Sequence, residues 1–232
     1  MKIWQTKNST TITRLLQGRS NVYLIRRGEN FFMVDTGGQN RNQELTRALK
    51  TMNISKLDYL FLTHTHFDHA GNAHMVRDTY EARVIAHISE RDVLEKGVSA
   101  IPKGANIFTK ACVTLGGKNF SKLTNFPPCL VDITTEDTFK LPGWTNVYVI
   151  HTPGHTGGSQ CIIIDNEYAI AGDIIFTLLP GTIYPPFTDL PQLLPQSWER
   201  LLQTDCHTFL PGHGNPCLRE RLVKHLPGLY RR

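Results

Sequence analysis

Cysteine is scarce and unpatterned. The five cysteines, Cys112, Cys129, Cys161, Cys206 and Cys217, are odd in number and contain no Cys-x-x-Cys pair. This argues against a disulfide framework and against a structural cysteine-type zinc site, and favours a reducing cytoplasm. Long hydrophobic runs are also missing. No apolar segment approaches the roughly 18 residues of a membrane helix. The opening residues, Met1 to Asn8, lack the apolar core of a signal peptide, and the other end is not a prenylation box. A cytoplasmic protein without a membrane partner is expected. Charge of one sign is not concentrated either. The chain has 25 Lys+Arg against 20 Asp+Glu, a formal net charge of +5. Basic pairs occur at Arg26-Arg27 and Arg231-Arg232, with a thin spread of lysines from Lys96 to Lys122. This is not a nucleic-acid footprint; it leaves a mild preference for anionic small molecules. Internal repeats and low-complexity tracts are absent. At 232 residues and 40% hydrophobic, the composition excludes a disordered, collagen-like or coiled-coil chain. The length suits one domain, residues 1–232, that buries its own core.

The first third reads as hairpins followed by a helix. Thr10 to Leu16 and Asn21 to Ile25 are β-rich. Phe31-Phe32-Met33-Val34 follows a Gly28-Glu29-Asn30 turn, and Asp35-Thr36-Gly37-Gly38 ends that strand. Leu45, Ala48, Leu49 and Met52 have helical spacing, which predicts a helix over 40–52. Strands are expected at Tyr59 to Leu62 and Ala82 to Ala86, with a helix over Ser89 to Glu95. Residues 97–130 are rich in Gly, Lys, Asn and Pro with isolated aromatics, and read as a lid insertion. Further strands fall near Val131 to Thr134, Val147 to Ile150, Cys161 to Ile164, Tyr168 to Ala171 and Thr208 to Leu210. Helices are expected over 189–204 and around Leu218, Leu222 and Leu226. Strands in runs with helices between them suggest an α+β protein with two helix-covered sheets.

Chemistry concentrates in His64-x-His66-x-Asp68-His69, directly after a buried strand. Four ligand-type residues fall within six positions. Alternation in an extended chain points His64 and His66 the same way, and Asp68 and His69 can turn toward a second point. Histidine and carboxylate are the usual ligands of zinc and iron. Three later residues each sit just past a strand: His155 in Thr152-Pro153-Gly154-His155-Thr156-Gly157-Gly158, Asp173 after Ala171-Gly172, and His213 after Leu210-Pro211-Gly212. The remaining histidines, His74, His87, His151, His207 and His225, receive no metal role.

Taken together, HxHxDH, TPGHTGGS, AGD and LPGHG resemble the metallo-β-lactamase superfamily, and Val34-Asp35-Thr36-Gly37 resembles its first motif. The resemblance runs from about Asn21 to His213. It implies a four-layered αββα sandwich with metals between the upper edges of two sheets. It also implies that His64, His66 and His155 hold one divalent cation, that Asp68, His69 and His213 hold a second, and that Asp173 bridges them. Asp35 would buttress a ligand without touching metal. Zinc is the default metal, with iron or manganese as alternatives. Two divalent cations set against Asp68, Asp173 and one hydroxide leave the site slightly positive, favouring an anionic or carbonyl-bearing substrate. A metal-bound water with a pKa near ~7 supplies hydroxide at neutral pH, and a second cation stabilises the developing oxyanion. Asp68 is the candidate for moving a proton to the leaving group.

Within the superfamily, the motifs resemble those of a glyoxalase II-like dinuclear hydrolase, and the tail after His213 is expected to leave no room for the glyoxalase C-terminal helical extension. The resemblance therefore implies hydrolysis of an ester, thioester, lactone or related bond in a small molecule. A lactonase-type tyrosine shortly after the bridging aspartate is missing, because Ile174, Ile175 and Phe176 follow Asp173. The basic arm of a tRNA-processing nuclease and the flavodoxin module and glutamate ligand of a flavodiiron protein are missing too. The alternative reaction class is a mononuclear iron persulfide dioxygenase. A phosphodiesterase or nuclease and a non-catalytic metal-binding protein rank below it. Phe108 and Phe120 on the lid, and Phe176 and Tyr184 opposite, with the wall 180–187, are the expected substrate-pocket contacts.

Overall fold

The computed structural model describes residues 1–99, 103–104 and 124–230. Two compact units account for them: residues 1–99 with 124–135, and residues 103–104 with 136–230.

The first unit is built on a seven-stranded sheet in the order β1-β2-β3-β4-β5-β6-β7. β1 (Lys2–Gln5), β2 (Thr11–Leu16), β3 (Val22–Arg27) and β4 (Asn30–Val34) form an antiparallel meander. β4, β5 (Tyr59–Phe61), β6 (Arg83–His87) and β7 (Ile133–Thr135) then run parallel. Parallel neighbours need long crossovers. α1 (Asn42–Thr51) supplies the first, α2 (Phe67–Ala70) with α3 (Ala73–Tyr80) the second, and α4 (Arg91–Lys96) begins the third. α1 buries Leu45 and Leu49, one turn apart, in a core with Leu24, Met33, Leu60 and Val84. α3 adds Ala73, Val76 and Tyr80.

The second unit holds a six-stranded sheet in the order β13-β12-β11-β10-β9-β8. β8 (Thr138–Lys140), β9 (Val147–His151), β10 (Gln160–Ile164) and β11 (Tyr168–Phe176) are antiparallel. β11 and β12 (Thr208–His213) are parallel, and the short β13 (Cys217–Leu218) closes the edge. α5 (Leu194–Leu202) makes the crossover and buries Leu194, Trp198 and Leu201, one helical stripe. α6 (Arg219–Leu229) adds Leu222 and Leu229 to that core. All five residues of β10 are buried, as expected of a central strand covered on both faces.

Two sheets with helices match the expected α+β class, and the expected strands are present with shifted ends. β11 continues past Ala171 to Phe176 and carries Asp173 inside it, and β12 continues past Leu210 to end on His213. The expected helix over 189–204 begins with a 3-10 turn, Pro191–Leu193, before α5. Within the lid reading of 97–130, the two described ends are tied to each other. Ser99 N donates to Thr124 O at 3.0 Å and Phe126 N to Gly97 O at 2.9 Å. Residues 100–102 and 105–123 lie outside the described residues. Among the described residues no helix is long and apolar enough to cross a membrane.

Candidate metal centre

The first unit carries the HxHxDH residues in the segment that leaves β5. Residues 62–66 run without regular structure into α2, which holds Asp68 and His69. His64, His66 and His69 are buried, and the Asp68 side chain is 24% exposed. His64 Nε2 and His66 Nδ1 face each other at 3.1 Å. Two nitrogens each bound about 2.0–2.1 Å from one tetrahedral zinc would lie about 3.3 Å apart, so this pair fits a shared cation. The donor atoms of His64 and His69 lie within 4.8 Å of one another, as do those of Asp68 and His69.

Asp35 sets the ring orientation of this cluster. It sits at the end of β4 with a left-handed backbone (φ 58) and is 1% exposed. Its Oδ2 accepts from His69 Nδ1 at 2.8 Å, and its Oδ1 accepts from Thr63 N at 2.8 Å. Thr63 Oγ1 donates to Oδ2 at 2.8 Å. An ionised carboxylate only accepts, so His69 carries its proton on Nδ1 and leaves Nε2 as a lone-pair donor. Because Thr63 Oγ1 gives its proton to Asp35, it accepts from His64 Nδ1 at 3.1 Å, which frees His64 Nε2 in the same way.

A second set of bonds locks the Asp35 loop to α2. Thr36 N and Thr36 Oγ1 both donate to His69 O at 2.7 Å. Asn72 Nδ2 donates to Thr36 O at 3.0 Å and to Gly38 O at 2.9 Å, and Asn72 N donates to Thr36 Oγ1 at 3.0 Å. Gly71 completes the fit. A Cβ there would meet Gln39 N at 2.5 Å and Phe67 O at 2.6 Å, so only glycine allows this approach.

The second unit carries His155, Asp173 and His213. His155 follows β9 in a turn held by the segment ahead of α5. His155 Nδ1 donates to Phe187 O at 2.9 Å, Asp189 N donates to His155 O at 3.0 Å, and Leu190 N to Gly154 O at 2.9 Å. A carbonyl can only accept, so His155 Nε2 is again the free lone pair. Asp173 Oδ2 lies 3.2 Å from His213 Nε2 and 3.7 Å from His155 Nε2. One carboxylate oxygen thus lies near two imidazole nitrogens. The β11–β12 ladder breaks register between Ile170 and Gly172 and again between Gly172 and Phe176. Gly172 has φ 52, and such irregularities re-aim side chains at sites. All three residues are buried.

Of the expected pocket residues, Phe176 packs its ring 5.0 Å from that of His213. Tyr184 stacks on Trp198 with centroids 5.4 Å apart, and its hydroxyl donates to His225 O at 2.6 Å. It lines a cavity of about 590 Å³ with Pro185, Thr188, Leu194, Leu229 and Tyr230, a lining that includes none of the seven expected ligands. Phe108 and Phe120 lie outside the described residues. Each of the five histidines without an expected metal role has a local partner: His74 with Asp78, His87 with Ser89, His151 with Gly157 O, His207 with Thr208 and His225 with Arg221 O. Cys129, Cys161, Cys206 and Cys217 are buried free thiols. Burial pushes Cys129 and Cys161 up to about 12 and Cys206 and Cys217 up to about 11, which leaves them protonated and inert as ligands.

The sequence reading did not single out Thr63, Thr65, Asn72, Glu90 or the Phe187 carbonyl. A signal for the first two was present, since threonine alternates with histidine in Thr63-His64-Thr65-His66 and must face the opposite way.

Residues 15–213 match the family model of the metallo-beta-lactamase superfamily. An uncharacterized protein of Mycobacterium leprae is 31% identical over 210 residues, covering 87% of this chain and 88% of that one. A probable metallo-hydrolase of Methanocaldococcus jannaschii is 28% identical over 199 residues, covering 84% of this chain and 87% of its own. Among solved structures, the B3 metallo-beta-lactamase BLEG-1 superposes with a TM-score of 0.68 at 24% identity, over 94% of this chain and 99% of that one. With the α+β architecture and histidine–aspartate clusters in place, the match over residues 15–213 is decisive: the chain belongs to the metallo-β-lactamase superfamily and has its fold.

Proposed function

We propose that the protein is a metal-dependent hydrolase that cleaves an ester, thioester, lactone or related bond in a small anionic or carbonyl-bearing molecule. The cofactor would be two divalent cations, zinc by default, with iron or manganese as alternatives. His64, His66 and His155 would hold one, Asp68, His69 and His213 the other, and Asp173 would serve both. The cytoplasmic setting expected from the cysteine usage belongs to the same proposal.

The observation that carries this reading is the preparation of the imidazoles. His69 and His155 each spend Nδ1 on an acceptor, Asp35 Oδ2 and Phe187 O, and so present Nε2 as a neutral donor. Five histidines and two aspartates make a donor set suited to divalent cations of borderline softness. Bound there, the cations would supply hydroxide at neutral pH and Lewis acidity toward the scissile group.

The protein's own groups do the rest. Asp35, Thr63 and the Phe187 carbonyl keep rings from turning. Asp68, whose partly exposed side chain has Oδ2 3.8 Å from His69 Nε2, would take up a proton and release it to a leaving atom. Phe176 stiffens the His213 ring by packing against it.

Elemental mass spectrometry on protein purified without chelator tests the metal reading, followed by a panel of lactones, thioesters and phosphodiesters. About two zinc or manganese ions per chain with turnover of a panel member supports it. About one iron per chain with oxygen uptake on a persulfide replaces it with the dioxygenase reaction. No metal and no reloading overturns it. An Asp68→Asn variant that is fully loaded and turns over normally removes the proton role from Asp68.

A further inference from the structure

We infer that Glu90 is a positioning residue for the first metal, acting through Thr65 on the two histidines that flank it. The inference rests on the metal reading above and adds a residue to it.

From Thr63 to His66 threonine alternates with histidine along an irregular segment that reaches an extended backbone at His66. His64 and His66 face each other across 3.1 Å. Thr63 and Thr65 point the other way, and each meets a buried carboxylate. Thr63 meets Asp35, 28 residues earlier in the chain. Thr65 meets Glu90, 25 residues later. Thr65 N donates to Glu90 Oε2 at 3.1 Å, and Thr65 Oγ1 donates to the same oxygen through a short bond. Glu90 is 7% exposed and Thr65 1% exposed.

A buried carboxylate is costly unless it is fully engaged. Its position here has a physical use. Glu90 closes the 3-10 turn Ile88–Glu90 at the start of α4, and that turn is held by His87, whose Nδ1 accepts from Ser89 N at 3.2 Å. The carboxylate is thereby mounted on a fixed element beyond β6 and grips both donors of the one residue between the ligand pair. Rotating Thr65 would swing His64 and His66 apart. Two carboxylates from different segments thus clamp an otherwise irregular stretch, Asp35 at Thr63 and Glu90 at Thr65. Charge-assisted hydrogen bonds are the stronger kind, and outer contacts of this sort set ligand geometry.

The test is cobalt(II) titration of the full chain, followed by its visible absorption and by competition with a chelator, for wild type, Glu90→Ala, Glu90→Gln and Thr65→Val. Thermal midpoints are measured on the same samples, and hydrogen exchange of the Thr65 amide on the metal-free chain. Glu90→Ala is expected to weaken one of the cobalt sites by about 10- to 100-fold and to speed exchange of the Thr65 amide. Glu90→Gln, which still offers one oxygen, is expected to restore most of both. Thr65→Val keeps the amide bond and loses the hydroxyl bond, so its affinity should fall between Glu90→Ala and wild type. A lowered thermal midpoint with wild-type affinity in these variants overturns the inference and leaves Glu90 a structural residue. If Glu90→Ala does not fold, wild-type cobalt affinity in Thr65→Val overturns it instead. A wild-type chain that binds no cobalt overturns both the metal reading and this inference. A wild-type chain that binds normally alongside unaffected variants overturns this inference alone.

Discussion

Asp35 and His69, 34 positions apart in the chain, form a buried hydrogen bond of 2.8 Å between Oδ2 and Nδ1, with the two side chains 1% and 0% exposed. The same carboxylate accepts the amide and hydroxyl of Thr63. Replacing Asp35 with Asn keeps a residue that tolerates the left-handed backbone and removes the charge. Asp35→Asn is expected to lower metal affinity about 10- to 100-fold. It should also cost roughly 1–3 kcal/mol of stability, because at least one of three buried donors loses its acceptor. Chelator competition and urea unfolding read the two effects separately.

Gly71 gives a purely steric prediction. Its backbone is helical, φ −58, so conformational freedom is not at issue. A methyl group would press on Gln39 N, Phe67 O and the Gly38 carbonyl carbon, all main-chain atoms within 2.9 Å. Gly71→Ala is expected to destabilise by about 1–3 kcal/mol or more, seen as a lower urea midpoint at unchanged slope. A midpoint equal to wild type would show that the Asp35 loop and α2 can separate freely.

Alkaline pH should unfold the chain earlier than a fold without buried thiols. Burial raises four thiols from an ordinary 9.0 to about 11 or 12. Their folded values exceed their unfolded ones, so the unfolded state binds fewer protons above pH 9. The stability they contribute is fully present below about pH 9 and is lost as pH rises toward 11–12. Urea midpoints at pH 8, 9.5 and 10.5 should fall steadily, and a Cys161→Ser, Cys206→Ser double variant should show a shallower fall. At neutral pH the same four thiols should resist alkylation until denaturant is added.

Metal should stabilise the fold by mass action. At free zinc about 100-fold above Kd, one site adds about 2.7 kcal/mol. Thermal midpoints with excess zinc should therefore exceed those in chelator by several degrees. Equal midpoints would contradict the proposed ligand set.

The parts of this fold that were legible in the sequence share one property: burial that leaves a helical period or an unbroken apolar run. α1 shows it in Leu45 and Leu49, α5 in Leu194, Trp198 and Leu201, and β10 in a run of five buried residues. β1 was not legible, because Lys2, Ile3 and Gln5 are exposed and only pairing with β2 holds the strand. β8 and the two-residue β13 are edge strands of the same kind. The HxHxDH cluster was visible because its ligands are adjacent in sequence. Its supports were less visible, because Asn72 donates to main-chain carbonyls, which leave no residue-type partner to match, and Glu90 meets Thr65 from 25 positions away. Asp68 and His69, expected to turn toward a second point, stand on α2, and the His69 donor atom still lies within 4.8 Å of that of His64.

Position 35 narrows the alphabet to one letter. A φ of 58 admits Gly, Asn and Asp at little cost. Three converging donors, from Thr63 and His69, call for a side chain that only accepts, which leaves Asp and Glu. The two sets share aspartate alone. Drift at this site therefore has no neutral intermediate: any exchange must sacrifice either the bend of the chain or the grip on the ring.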